Sequence, residues 1–276
     1  MHSAVASRTV AILSATSTMR AAPFSSRCVS RFAMAEHQDM RMPGIDGVLF
    51  DYGRTLVTFD YPSGRLLQVM AGFRPRIEAA LGVPAPEAET ILHDVLVPLE
   101  EYVASMSEDE VDYLDVYRET WQRAGMRLPD DLLHEILDAE QRTWDQAVQV
   151  DPDALRVLSW LGEHEVRRGI CSNAPFPPAM MRRQVRSNGI DQLVDAIVFS
   201  SEVGRRKPAP EVYQAALDAL GTGPARTMFV GDRVREDYEG PRALGMRAVI
   251  VTAHAEEPPR DGVPTIKSLA ELPSLL

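Results

Sequence analysis

The sequence predicts an α/β protein: a parallel sheet covered by helices on both faces, with an α-helical bundle inserted after the first strand. Three observations carry this. Gly47 to Phe50 is a short apolar run ending at Asp51, the pattern of a strand buried on both faces. Between Ser63 and Val148 the apolar residues recur at spacings of three and four, with no strand-like segment among them. After Val150, short apolar runs alternate with amphipathic stretches, as in consecutive βαβ units.

Taken in order, residues 1–43 read as an N-terminal extension. The first 35 contain no Asp or Glu, four Arg (Arg8, Arg20, Arg27, Arg31) and many Ser, Thr and Ala. That composition fits either an organelle transit peptide or a disordered extension, with Met34, Met40 or Met42 as alternative starts. The core is expected at 44–60 and 149–276, and the bundle at 61–148. Within the bundle four apolar sets mark four helices: Leu66 to Ile77, Ile91 to Val103, Val111 to Trp121, and Leu132 to Trp144 after a Pro129-Asp130 start signal. Asp151-Pro152 opens the next helix, with Leu155, Leu158 and Leu161 as its apolar face. Strands follow at Val166–Cys171, Ala196–Phe199, Met228–Val230 and Ala248–Val251. The helices between them are placed at Ala179–Ser187, Pro210–Leu220 and Tyr238–Leu244.

Composition narrows the function. The net charge of -11 argues against nonspecific nucleic-acid binding. No apolar stretch approaches the roughly 20 residues of a membrane span. Two cysteines, Cys28 and Cys171, make neither a disulfide framework nor a metal cluster. A cytoplasmic protein is expected, with organelle targeting left open by the extension. Lys207 and Lys267 are the only lysines in an arginine-rich chain, so each invites a specific role.

In open parallel sheets, ligands bind beyond the carboxyl ends of the strands. The residues there are Asp51, Gly53 and Thr55 after the first strand, then Ser172 and Asn173, then Ser200, Ser201 and Lys207, and finally Gly231, Asp232 and Asp237. Clustered carboxylates repel unless a cation sits among them, and an all-oxygen set suits Mg²⁺. A hydroxyl and an ammonium nearby suit phosphoryl oxygens, and a free carboxylate can attack phosphorus. Each residue has a plainer reading: Asp51 as a turn cap, Lys207 as a helix-start charge, Ser172 as a turn hydroxyl, Asp237 as a helix N-terminal carboxylate. Glu108-Asp109-Glu110 reads as a solvated helix start, and His93, His134 and His164 as structural or solvated.

Four ordered motifs now align. VLFDYGRTL, GICSN, SSEVGRRKPAPEVY and MFVGDRVREDYEGPRALGM together resemble those of the haloacid dehalogenase superfamily over residues 44–275. The resemblance implies a Rossmann-like core with a helical cap that closes over the site. It implies Asp51 as nucleophile and Mg²⁺ ligand, the Gly53 carbonyl as a second ligand, and Asp232 with Asp237, directly or through water, completing the metal site. Ser172 and Lys207 would hold the phosphoryl group, and Asn173, Thr55 and Arg54 are candidate substrate contacts. Cap residues Arg74, Arg76, Tyr102, Tyr113 and Arg118 are candidates for the cleft.

Two positions depart from the pattern. Phosphatases of the superfamily usually carry a second Asp two residues after the nucleophile, where this chain has Gly53, and then a glycine where it has Arg54. A missing general acid is typically worth ~10²–10⁴ in rate, less for a leaving group that is already a weak base. Haloacid dehalogenases also lack the second Asp but need no Mg²⁺. Phosphonate-cleaving relatives use a cap lysine, and residues 56–150 contain none. The expectation is a Mg²⁺-dependent phosphatase working through an aspartyl-phosphate on a small phosphorylated metabolite. The alternatives are a weak member that binds a phosphorylated ligand or protein partner, and a metal-independent 2-haloacid dehalogenase. Oligomeric state is not readable.

Overall fold

The first strand, β1 (Gly47–Phe50), is fully buried, and its side chains alternate between two cores. Val48 and Phe50 join one apolar cluster and Leu49 the other, which is why the run is apolar without interruption. The computed structural model describes residues 44–103 and 107–276; the N-terminal extension read at 1–43 lies outside them.

β1 is followed by β2 (Val57–Phe59), α1 (Ser63–Leu81), α2 (Ala88–Ile91), α3 (Val97–Val103), α4 (Tyr113–Arg123), α5 (Asp130–Ala147) and β3 (Val148–Val150). The chain continues as α6 (Ala154–Glu163), β4 (Arg167–Ser172), α7 (Pro178–Ser187), β5 (Ala196–Phe199), α8 (Ser200–Val203) and α9 (Pro210–Leu220). It ends with β6 (Thr227–Gly231), α10 (Gly240–Ala243), β7 (Arg247–Val251) and β8 (Thr265–Ile266). The main sheet has six strands in the order β5-β4-β1-β6-β7-β8, every pair parallel. The chain runs outward from β1 to β5 on one side, then crosses to β6 and runs outward on the other. This reversal opens a crevice at the carboxyl end of β1. Phe50 pairs with Ile170 and with Val230, so Asp51, Ser172 and Asp232 emerge at one edge. Apolar faces of α6 and α7 cover one side of the sheet, and α9 covers the other.

The insert has its own core, built from Leu66, Met70, Ile77, Ile91, Val95, Tyr117, Trp121, Leu133 and Ile136 among others. These are the positions the period-3.6 pattern marks. A π-helical segment, Leu92–Leu96, joins α2 to α3. Phe176 and Met180, from the core segment after β4, pack against this bundle.

Some elements differ from expectation. β2 and β3 pair antiparallel at the stem of the insert, Phe59 opposite Val148; each is three residues long and adjoins a helical pattern that masks it. The helix expected at Tyr238–Leu244 begins earlier, as a π-helical turn at Val234–Glu239. Residues Glu108 to Glu110 are not a solvated helix start. α4 is instead capped by Asp112, whose carboxylate accepts from Leu114 N–H at 3.1 Å and Asp115 N–H at 3.2 Å. The preceding segment runs along the core as a strap: Glu110 N–H donates to Gly204 O at 3.1 Å and Arg206 N–H to Glu108 O at 2.8 Å. Their carboxylates go to Arg235 (from Glu108, 3.0 Å), Arg205 (from Asp109) and Ser200 (from Glu110). Glu108 and Asp109 are matched across space by arginines of the core and Glu110 by a core hydroxyl, with Asp109 still exposed.

Candidate active site

Asp51 extends the β1 ladder through an N–H bond to Val230 O at 2.9 Å. The chain then turns tightly, with Leu56 and Val57 N–H both donating to Tyr52 O. This turn requires a left-handed residue, and Arg54 supplies it at φ 57°, at a cost of about 1–2 kcal/mol for a side chain with Cβ. Its guanidinium is anchored at 2.5 Å to Glu256 and lies 5.9 Å over the Phe59 ring.

Lys207 approaches from the loop after α8, and Asn173 sets its position. Lys207 N–H donates to Asn173 Oδ1 at 2.7 Å, and Asn173 Nδ2 donates to Lys207 O at 3.1 Å. The amide expected to meet substrate is thus occupied by the lysine backbone. The buried ammonium donates to Asp51 Oδ1 and Asp237 Oδ1, both at 2.7 Å. Burial opposes its charge, but Asp237 and Asp51 outweigh that and hold the lysine pKa well above its ordinary value.

Asp237 is the most constrained of the acids. Its second oxygen accepts from the Asp232 N–H at 3.0 Å and the Arg233 N–H at 2.9 Å. Gly231 makes room for it: a Cβ there would meet the Asp237 Cγ at 2.3 Å. Asp232, by contrast, has a buried Oδ2 with no hydrogen-bond partner among the described residues. Burial, then the nearby Asp51 and Asp237 carboxylates, push its pKa up to about 8. Asp51, Asp232 and Asp237 each offer an oxygen within 4.8 Å of the others. An orphaned buried carboxylate oxygen among hard oxygen donors is the setting a Mg²⁺ ion fits.

These groups open onto a cavity of about 430 Å³. Asp51, Gly53, Ser172, Lys207 and Asp232 line its sheet side, and Arg54 and Arg233 also reach it. Thr55 does not: it is fully buried, with a hydroxyl lacking a partner among the described residues. On the bundle side the lining comes from Glu100, Gln141 and Trp144, with Phe59 and Phe176 between. The candidate cleft residues lie elsewhere, because arginines on the polar faces of these helices find surface carboxylates. Arg74 pairs with Glu87 at 2.9 Å, Arg76 with Glu135, and Arg118 with Asp130 at 2.9 Å. Tyr113 is buried with its ring 4.8 Å from Phe176, and the Tyr102 side chain lies outside the described residues. Trp144 belongs to the same apolar stripe as Ile136 and Leu137, so spacing alone does not separate it from core. A glycine just before Asp232 is the one missed feature with a readable signal, marking a close approach.

Comparison with known proteins places this fold among hydrolases. A phosphatase of Mycobacterium tuberculosis is 28% identical over 148 residues, 51% of this chain and 65% of its own length. Glyceraldehyde 3-phosphate phosphatase of Methanothermobacter thermautotrophicus is 37% identical over 112 residues, 41% of this chain and 49% of its own length. The chain thus spans less than two thirds of these two relatives. It spans more of the Methanopyrus kandleri glyceraldehyde 3-phosphate phosphatase, 27% identical over 207 residues, 74% of this chain and 83% of its own length. The fold matches a phosphatase of this superfamily from Thermococcus onnurineus, at 20% identity and TM-score 0.57 over 83% of this chain and 96% of that one. It also matches 2-haloacid dehalogenase from Pseudomonas syringae pv. Tomato DC3000, at 21% identity and TM-score 0.63 over 84% and 97%. A family model for haloacid dehalogenase-like hydrolases matches residues 45–245, and with the fold and the site in agreement the chain belongs to the haloacid dehalogenase-like hydrolases.

Proposed function

We propose that this hydrolase is a Mg²⁺-dependent phosphatase of small phosphorylated metabolites, working through an aspartyl-phosphate on Asp51, with the bundle as the cap over its site. The observation that carries this is the division of labour among the buried acids. Asp51 and Asp237 share the Lys207 ammonium, while Asp232 keeps an oxygen with no partner in the same cluster. The relatives named as phosphatases support the same class.

In this reading Asp51, Asp232 and the Gly53 carbonyl hold the ion, and Asp237, its oxygens already engaged, orients the site from behind. The bound Mg²⁺ would offset phosphoryl charge as a Lewis acid. Lys207 bonds one Asp51 oxygen and leaves the other to attack phosphorus. Ser172 and Lys207 hold the remaining phosphoryl oxygens as charge develops. The P–O bond to the leaving group breaks, and water then releases phosphate from Asp51. Gly53 has no side chain to protonate the departing oxygen.

Asp51→Asn is expected to abolish Mg²⁺-dependent phosphate release from an aryl phosphate while the far-UV circular dichroism of the folded chain is kept; a variant that still turns over refutes the nucleophile. A metal-independent dehalogenase has Gly53 in its favour, and the partnerless Asp232 oxygen against it. Halide release from a 2-haloacid without metal would establish that alternative. A chain that neither releases phosphate nor traps a phosphoryl group or fluoroberyllate would instead be a ligand-binding member.

A further inference from the structure

Opposite the carboxylates the cavity has a wall of different chemistry. Phe59 and Tyr61 are large apolar side chains left exposed, at 40% and 42%. Both rings stand edge-on to Trp144, with centroids 5.8 and 5.4 Å away. Phe59, Trp144 and Phe176 line the same cavity as Asp51 and Lys207. The β2–β3 ribbon fixes Phe59 near the end of α5: Phe59 on β2 lies opposite Val148, four residues beyond Trp144, which is on α5. The aromatic surface also reaches the reacting end of the cavity, because a Cβ on Gly53 would meet Phe59 Cε1 at 3.6 Å. The space beside the nucleophile that a side chain at 53 would fill is bounded by an aromatic ring.

Resting on the phosphatase reading, we propose that Phe59, Trp144 and Phe176 form a leaving-group subsite for a flat apolar body, and that the substrates are monophosphate esters of phenolic hydroxyls. Rings packed edge-on present faces and edges suited to a further aromatic group. A pocket with apolar walls and a few convergent polar groups binds such a body while fixing its charged end. The chemistry agrees with the shape. A phenol has a pKa of about 10, so its anion departs with far less need of a proton than an alkoxide does, and residue 53 offers none. In the transfer, an Asp51 oxygen bonds to phosphorus and the aryl P–O bond breaks, its electron pair leaving on the aryl oxygen. The aryloxide takes its proton from solvent. Water then bonds to phosphorus, the Asp51–phosphorus bond breaks, and Asp51 is restored as the carboxylate with release of inorganic phosphate.

The test measures Mg²⁺-dependent kcat/KM of the full chain on 1-naphthyl, phenyl and propyl phosphate, with acetyl phosphate as a small substrate that needs neither wall nor acid. Phenyl phosphate is expected to exceed propyl phosphate by roughly 100-fold. The naphthyl-to-acetyl ratio is expected to fall ~10-fold or more in Phe59→Ala and in Trp144→Ala. Trp144→Leu, which keeps apolar bulk on α5, is the second variant if Trp144→Ala does not fold. Propyl phosphate turned over as fast as phenyl phosphate overturns the substrate class, above all if Glu100→Gln, on the bundle side of the cavity, removes only the alkyl activity. Acetyl phosphate turnover with an unchanged naphthyl-to-acetyl ratio in the variants overturns the subsite alone. Absence of turnover on every substrate overturns the phosphatase reading and the subsite with it.

Discussion

Acidic side chains are buried at two places in this chain, and their partners differ in kind. In the sheet, Asp51 and Asp237 are each 2.7 Å from the Lys207 ammonium. In the bundle, Glu140 is buried with the Tyr117 hydroxyl 2.7 Å away, and burial pushes its pKa up to about 8. Glu100, exposed at the cavity's bundle side, is raised too, by partial desolvation that the Tyr61 hydroxyl opposes. Glu140 is thus favoured as a neutral acid, whereas Asp51 and Asp237 sit in an ion pair with Lys207. Asp232 is the instructive exception: it sits in the sheet cluster, yet burial, and then the Asp51 and Asp237 carboxylates, push its pKa to about 8 as well. Burial raises each of these carboxyls, and at Asp237 the Lys207 ammonium works against it.

Removing the cation breaks the contrast most severely. Lys207→Met is expected to lower phosphate release by ~10³-fold or more and to cost ~3–5 kcal/mol in urea unfolding, the penalty of leaving buried charge uncompensated. Unchanged unfolding would mean the ion pair contributes nothing.

The bundle acid is tested by pH. The folded pKa of Glu140 is about 8 against an ordinary 4.5, so between those values the native chain holds a proton that the unfolded chain has released. Its contribution to stability therefore falls as pH rises through this window, by up to ~1.4 kcal/mol per pH unit. Glu140→Gln keeps the contact to Tyr117 without titrating, and its unfolding curve is expected to be flatter between pH 5 and 8. An identical slope in both proteins would show that Glu140 is charged when folded.

The smallest expected effect comes from adding an acid with neither kind of partner. Gly53 has an ordinary backbone, and a Cβ there makes only normal contact. Gly53→Asp is expected to raise hydrolysis of alkyl phosphates roughly tenfold relative to aryl phosphates, since only the former need a proton. Equal effects on both would separate Gly53 from proton transfer.

Much of the core site was legible because its signals are local. Gly47 to Phe50 and Pro210 to Leu220 appear where the apolar pattern places them, and Asp51, Ser172 and Asp232 lie at or just beyond strand ends, with Lys207 after the short α8. Lys207 stood out by rarity. Thr55 and Asn173 were legible as neighbours of the site but not in their contacts: one is buried away from the cavity, the other is spent on a backbone. The strap at Glu108 to Glu110 was illegible because its partners, Arg205, Arg235 and Ser200, are about 90 residues or more away.

By itself the sequence determined the α/β core with its helical insert and the set of carboxylates and lysine at one sheet edge, because periodicity of 2 or 3.6 and strand ends are properties of neighbouring residues. Only the tertiary structure decided which carboxylate oxygen is left without a partner among the described residues, and that Phe59, Trp144 and Phe176 line the same cavity as Asp51. An apolar residue reads the same in sequence whether it fills a core or lines a cavity, and the difference arises only when distant elements meet.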